Sequence, residues 1–162
     1  MDNFELDRLA RKDVYLAKKW GGVYALDLVP KNLADNFIYV CSDQPHYIKY
    51  GHWRLISNIG KTLYWFDSYG HAPTNSHVIN TLKKTQKPLE YSTIQVQQDT
   101  STVCSYHCLF VALLLARGFN LEEILDHFYS ADLLYNDVMA TEFISAFLDL
   151  KETPPLYDSS FL

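Results

Sequence analysis

Three side chains in this sequence have the types and the order that acyl transfer needs: His52, Asp67 and Cys104. Cys104 follows a polar, turn-forming segment, Gln97–Thr102, and leads into an apolar run, Leu109–Ala116. Ser, Thr and Asp ahead of an apolar run signal a helix start, so Cys104 is expected in the first turn of a buried helix. A thiol there feels the positive end of the helix dipole, which favours thiolate. A thiolate attacking a carbonyl carbon needs an acid–base partner and donors for the developing oxyanion. His52 would take the thiol proton or stand beside the thiolate as imidazolium. Asp67 would orient the ring, and the amide of Cys104 with the side chain of Gln97 would donate to the oxyanion. A plainer reading fits the same residues: a small buried thiol, a partly exposed cross-strand ion pair and an ordinary loop glutamine.

The elements that must position these groups are legible in part. Gly51–Gly70 (GHWRLISNIGKTLYWFDSYG) reads as an antiparallel hairpin turning near Ile59-Gly60. In a symmetric register Trp53 faces Phe66 and Leu55 faces Tyr64 on one apolar face. Arg54 then meets Trp65, and His52 meets Asp67, on the other. Ahead of the hairpin, residues 1–20 read as one or two short surface helices, and Val23–Leu28 and Phe37–Cys41 as strands. After it, Ser76–Gln86 reads as a helix capped by Ser76, and Tyr91–Val96 as a short strand. Gly118 ends the Cys104 helix, Asn120 caps another helix to Phe128, and Leu133–Leu150 is a longer amphipathic helix.

The 162 residues read as one domain, 1–162, with 1–20 as an N-terminal helical segment and 151–162 as a tail. Net charge is −5, which argues against nucleic acid or an anionic membrane as an obligatory partner. The apolar run Cys108–Ala116 is less than half of the about 20 residues a membrane span needs. Three cysteines, Cys41, Cys104 and Cys108, and a charged Met1–Arg11 point to free thiols in a reducing compartment, not to secretion. Cys104, His107 and Cys108 could share a helix face, but zinc would need a fourth ligand. No metal and no cofactor are expected. Cys108 is expected behind the nucleophile, and His107 at the surface or half-buried without a partner.

Taken together, Gly51-His52-Trp53, Tyr64-Trp65-Phe66-Asp67-Ser68-Tyr69-Gly70 and Gln97…Cys104…Cys108-Leu109-Phe110 resemble the adenovirus-type (adenain-like) cysteine endopeptidases. The likeness is nearest to their relatives in Polinton/Maverick elements and virophage-like viruses. Gly22–Asp27, Phe37–Val40 and Leu121–Leu125 fit the same group, so the resemblance spans roughly residues 20–145. It implies His52, Asp67 and Cys104 as the catalytic residues. Gln97 is implied as the oxyanion donor because the family's Gln lies seven positions before its Cys. Trp53 is expected to shield the His–Asp pair, and Ser105, which stands where the group usually has Gly, to narrow the cleft.

The implied fold is α+β: a central, mostly antiparallel sheet of Phe37–Cys41, His52–Ser57, Leu63–Asp67 and Tyr91–Val96 flanked by helices. Its site is papain-like, with His and Asp ahead of Cys in the chain. The implied function is a monomeric thiol protease that matures capsid or core precursors near small residues, often Gly, in the virion and the host nucleus or cytoplasm. The resemblance leaves room for an activating peptide, whereas a DNA requirement does not carry over to so acidic a chain. Two alternatives stand. One is a ubiquitin-like (SUMO-type) processing protease, whose spacing selects Gln98. The other is a weakened homologue acting as a binding module, motivated by Ser105.

Overall fold

A computed structural model describes residues 1–148. The first two helices, α1 (Asn3–Ala10) and α2 (Val14–Ala17), are capped by Asp2 and Asp13, whose carboxylates accept from Glu5 N and Leu16 N at 2.8 Å. They are not merely surface helices, because Leu6, Leu9, Ala10 and Leu16 are fully buried in the main core. Strand β1 (Trp20–Tyr24) begins earlier than expected and gives way to a 3-10 turn at Leu26–Leu28. The glycines that read as a break belong to this strand. A Cβ on Gly21 would lie 2.4 Å from the Tyr39 ring, and Gly22 adopts φ +112° where the register shifts. Only glycine fits beneath that ring.

Strands β2 (Phe37–Ser42), β3 (Trp53–Asn58), β4 (Leu63–Phe66) and β5 (Leu89–Tyr91) complete a five-stranded sheet in sequence order. The fold is α+β as expected. The central β2–β3 and β3–β4 pairs are antiparallel and the outer β1–β2 and β4–β5 pairs parallel. The parallel pair at β5 arises because α3 (Ser76–Lys84) carries the chain back across the sheet between β4 and β5. Asn75, not Ser76, caps α3, accepting from Val78 N at 3.1 Å. The expected Tyr91–Val96 strand is displaced. Pairing ends at Tyr91, and Val96 N and Gln97 N instead donate to Ser68 O at 2.8 and 3.1 Å.

The hairpin register differs from the symmetric one. Leu55 pairs with Phe66, Ile56 with Trp65 and Ser57 with Tyr64, a slip of two residues. Because side chains alternate with period two, a two-residue slip keeps every face. The turn is centred one residue later than read, with Gly60 at φ +74° inside it.

Both faces of the sheet are covered. On one, Ile38, Val40, Leu55 and Phe66 pack against α4 (Cys104–Ala116), α1 and α6 (Leu133–Phe147). On the other, Tyr39, Cys41, Ile56, Leu63 and Trp65 pack against Val78 and Leu82 of α3. Every residue of α4 is buried, as its unbroken apolar sequence requires. Gly118 follows its last turn at φ +95°, and Asn120 caps α5 (Leu121–Phe128) by accepting from Glu123 N at 2.8 Å, both as expected. Residues 149–150, read as the end of α6, and the tail 151–162 lie outside the described residues. No helix among the described residues is long and apolar enough to cross a membrane.

Candidate active site

His52 immediately precedes β3, and its amide donates to Asp43 Oδ1 at 2.8 Å. Asp67 immediately follows β4. The observed register, continued past Leu55–Phe66, sets His52 opposite Tyr69 rather than Asp67. The Tyr69 ring accordingly stacks on the imidazole, with centroids 4.5 Å apart and planes at 23°. His52 Nε2 still meets Asp67 Oδ1 diagonally, at 2.7 Å, and Asp67 Oδ1 also accepts from Tyr69 N at 2.8 Å. Only 14% of the His52 side chain and 2% of the Asp67 side chain are exposed.

Burial alone would push the Asp67 carboxyl up. The His52 hydrogen bond and charge, the Tyr69 amide and the nearby Arg54 outweigh it and hold Asp67 below the usual carboxylate range. Burial would likewise depress His52, but Asp67 and the adjacent Cys104 raise it to about 9. With Nε2 given to Asp67, Nδ1 is the ring nitrogen left for the thiol. Cys104 lies close enough for its hydrogen bonding and its charge both to raise the imidazole.

These shifts give stability a pH signature. Asp67's folded value lies below its ordinary 3.8, so its contribution is present above that pH and lost as pH falls through the lower value. The His52 value is raised from 6.5, so its contribution is complete below 6.5 and lost as pH rises through about 9. Thermal unfolding should therefore show its best stability between about pH 4 and 6.5. Asp67→Asn should flatten both limbs, and unchanged limbs in that variant would contradict the coupling.

Cys104 opens α4, and no side chain caps that helix. The expected Ser, Thr or Asp cap is replaced by Val103. The Ser101 hydroxyl instead accepts from Val103 N at 3.4 Å and from Gln97 Nε2 at 3.3 Å. An uncapped helix start leaves its amides and the positive dipole end facing the thiol. Burial pushes the Cys41 thiol up to about 11 and the Cys108 thiol well above its ordinary value. Cys108 lies fully buried one helical turn behind Cys104.

Gln97 is fully buried against this site. Its Oε1 accepts from Ser68 Oγ at 2.6 Å, and its Nε2 donates to Ser101 O at 2.9 Å. With the two backbone bonds to Ser68 O, these lock the segment before Cys104 onto the turn that carries Asp67. The Gly70 backbone fits that turn at φ +75°, where a Cβ would meet Thr93 O at 2.7 Å.

No protein-family model matches the sequence, and no curated protein matches it. Among solved structures, the crystal structure of the ASFV pS273R protease aligns with 94% of this chain at 15% identity with a TM-score of 0.62. The chain has the fold of that protease. It spans 67% of the protease's own length. A selenomethionine structure of the same protease aligns with 67% of this chain and 43% of its own, at 16% identity and a TM-score of 0.46. At 15% identity the likeness is one of fold alone.

On this protease fold one residue is placed very differently from expectation. His107 is fully buried, not at the surface, and it has partners. Burial lowers its pKa despite Asp137 beside it, so the ring is neutral at pH 7. Its Nε2 donates to Asp137 Oδ1 at 2.8 Å, and its Nδ1 accepts from the Tyr129 hydroxyl at 3.0 Å. Asp137 Oδ2 in turn accepts from Gln98 N at 3.3 Å, and Asn136 Nδ2 donates to Val96 O at 3.1 Å. These buried polar side chains of α6 therefore grip the backbone on both sides of Gln97. The sequence signal was the adjacent polar pair Asn136-Asp137 inside an amphipathic helix, since burial of either would require partners.

Trp53 packs half-buried against the main core and donates from Nε1 to Met1 O at 3.3 Å. The ring stacked on His52 is that of Tyr69. Ser105 is buried next to Cys104, and its hydroxyl has no partner among the described residues. Among the described residues no cluster of His, Cys, Asp and Glu could hold a metal ion.

Proposed function

We propose that the protein is a cysteine endopeptidase with Cys104 as nucleophile. The observation that carries this is the buried His52–Asp67 pair, 2.7 Å apart, beside a cysteine at an uncapped helix start. With His52 as imidazolium, the Cys104 thiolate attacks the scissile carbonyl carbon and forms the C–S bond. The oxygen becomes an oxyanion facing the Cys104 amide, and Gln97 Nε2 joins it by turning from Ser101 O. His52 Nδ1 then gives its proton to the departing amine as the C–N bond breaks, leaving a thioester. Now neutral, His52 takes a proton from water, the resulting oxygen attacks the thioester, and C–S cleavage restores the thiolate beside imidazolium. Asp67 holds the ring in place throughout and keeps its charged form favourable.

The substrates we propose are protein precursors of a viral or transposon capsid or core, cleaved near small residues, with the enzyme active as a monomer in the virion or inside the host cell. The resemblance to the adenain-like group supports this choice of substrate and of an activating peptide as partner. The test is a proteome-derived peptide library read by mass spectrometry, with Cys104→Ala alongside. New termini flanked by Gly or other small residues are expected from the wild type alone. Cleavage only after a terminal Gly-Gly of ubiquitin-like fusions would replace this substrate class, and equal cleavage by both proteins would remove Cys104 from the reaction.

A further inference from the structure

Tyr69 belongs to neither the base nor the nucleophile, yet it lies against both halves of the site. Its ring stacks on His52 and its backbone amide holds Asp67. Its hydroxyl reaches across to the segment before the nucleophile, where it has only distant partners: Asp99 O and Ser101 O at 3.4 Å, and Gln97 Nε2 at 3.4 Å. An O–H donor ordinarily settles at about 2.5–3.0 Å from its acceptor, so this proton is scarcely engaged. Two donors from different elements, Gln97 Nε2 and the Tyr69 hydroxyl, converge on one carbonyl oxygen, that of Ser101, shortly before Cys104. Of the two, the Gln97 bond is of ordinary length and only the Tyr69 bond is long; a donor held so loosely is what a developing negative oxygen would draw in, since bonds to an ionised acceptor are shorter and stronger.

On the reading of the site given above, we propose that Tyr69 is a catalytic residue whose hydroxyl donates to the substrate oxyanion beside Gln97 Nε2. The stacking against His52 sets the direction in which the phenol points, so one side chain braces the base and serves the oxyanion. Burial and the neighbouring negative groups raise the phenol to about 12, so it stays protonated wherever the enzyme works and has a proton to donate. The hydroxyl transfers no proton in the cycle; it only shortens its hydrogen bond as the carbonyl oxygen gains charge.

The experiment compares wild type, Tyr69→Phe and Cys104→Ala in two assays: turnover of a cleaved peptide, and alkylation of Cys104 by iodoacetamide. Phe keeps the stacked ring and removes only the hydroxyl. Alkylation passes through no oxyanion, so Tyr69→Phe should alkylate at the wild-type rate. Removal of one oxyanion donor lowers kcat by about 10²–10³-fold in other enzymes, and a second donor at Gln97 makes a fall of at least about tenfold the expectation here, with KM little changed. Turnover by Tyr69→Phe within twofold of wild type overturns the proposal. So does an equal loss of turnover and alkylation, which would mean that the hydroxyl acts on the thiolate or on the fold. If the wild type neither cleaves nor alkylates selectively at Cys104, the underlying reading fails and the donor role fails with it.

Discussion

A His52→Ala variant is expected to lose at least about 10³-fold in kcat/KM while remaining folded. The size follows from two roles resting on one ring. General acid–base catalysis alone is worth about 10²–10⁴-fold. The same imidazolium also holds the thiolate, so removing it withdraws nucleophile and acid together, and losses within such a unit do not simply add. The ring sits at the sheet's end with part of its surface exposed and forms no part of the apolar core, so its loss should spare the fold. The phenol of Tyr69 would lose its stacking partner, but its hydroxyl contacts lie on the other segment. Circular dichroism and a thermal scan establish folding, and steady-state kinetics on a peptide from the library give the fall. A variant that stays within about tenfold of wild type would mean that His52 is not the acid–base group.

Asp67 should follow with a smaller effect. Asp67→Asn keeps the shape and a hydrogen-bonding partner for Nε2 but removes the charge that holds His52 as imidazolium. Its loss should appear chiefly as a shift of the pH profile, with the limb set by His52 moving to lower pH.

Much of this was legible because chemistry and pattern coincide in a few short stretches. The Gln97–Arg117 segment declares a polar turn, a thiol and a buried helix in immediate succession, and the structure has all three. Binary patterning of Gly51–Gly70 was enough to sort side chains between faces, since a two-residue slip leaves faces unchanged. It could not fix which residues lie opposite, because that depends on where Gly60 turns the chain. The slip hid Tyr69, which the true register places against His52. The capping signal before Cys104 misled in a useful way. The polar residues there bond to Gln97 and to one another, and the helix start is left open. His107 was misjudged because its partners, Tyr129 and Asp137, come from helices whose packing no local pattern reveals. The sheet edges were blurred for a similar reason. Gly21-Gly22 looks like a break until the ring of Tyr39 is laid across it, and Tyr91–Val96 looks like a strand until Ser68 captures its amides.

The central claim is that Cys104 works as a thiolate held beside imidazolium. Its most direct test is site-resolved alkylation of the intact protein by iodoacetamide from pH 5.5 to 9, read by mass spectrometry. An ordinary thiol, with its pKa near 8.5, should react about tenfold faster per pH unit over the lower part of that range. Cys104 is predicted to react rapidly already near pH 6, well ahead of an ordinary thiol and of the other two cysteines. Cys41 and Cys108, fully buried and shifted upward, should stay nearly unlabelled throughout. A Cys104 rate that climbs tenfold per unit like a free thiol, or slow and equal labelling of all three cysteines, would contradict the account.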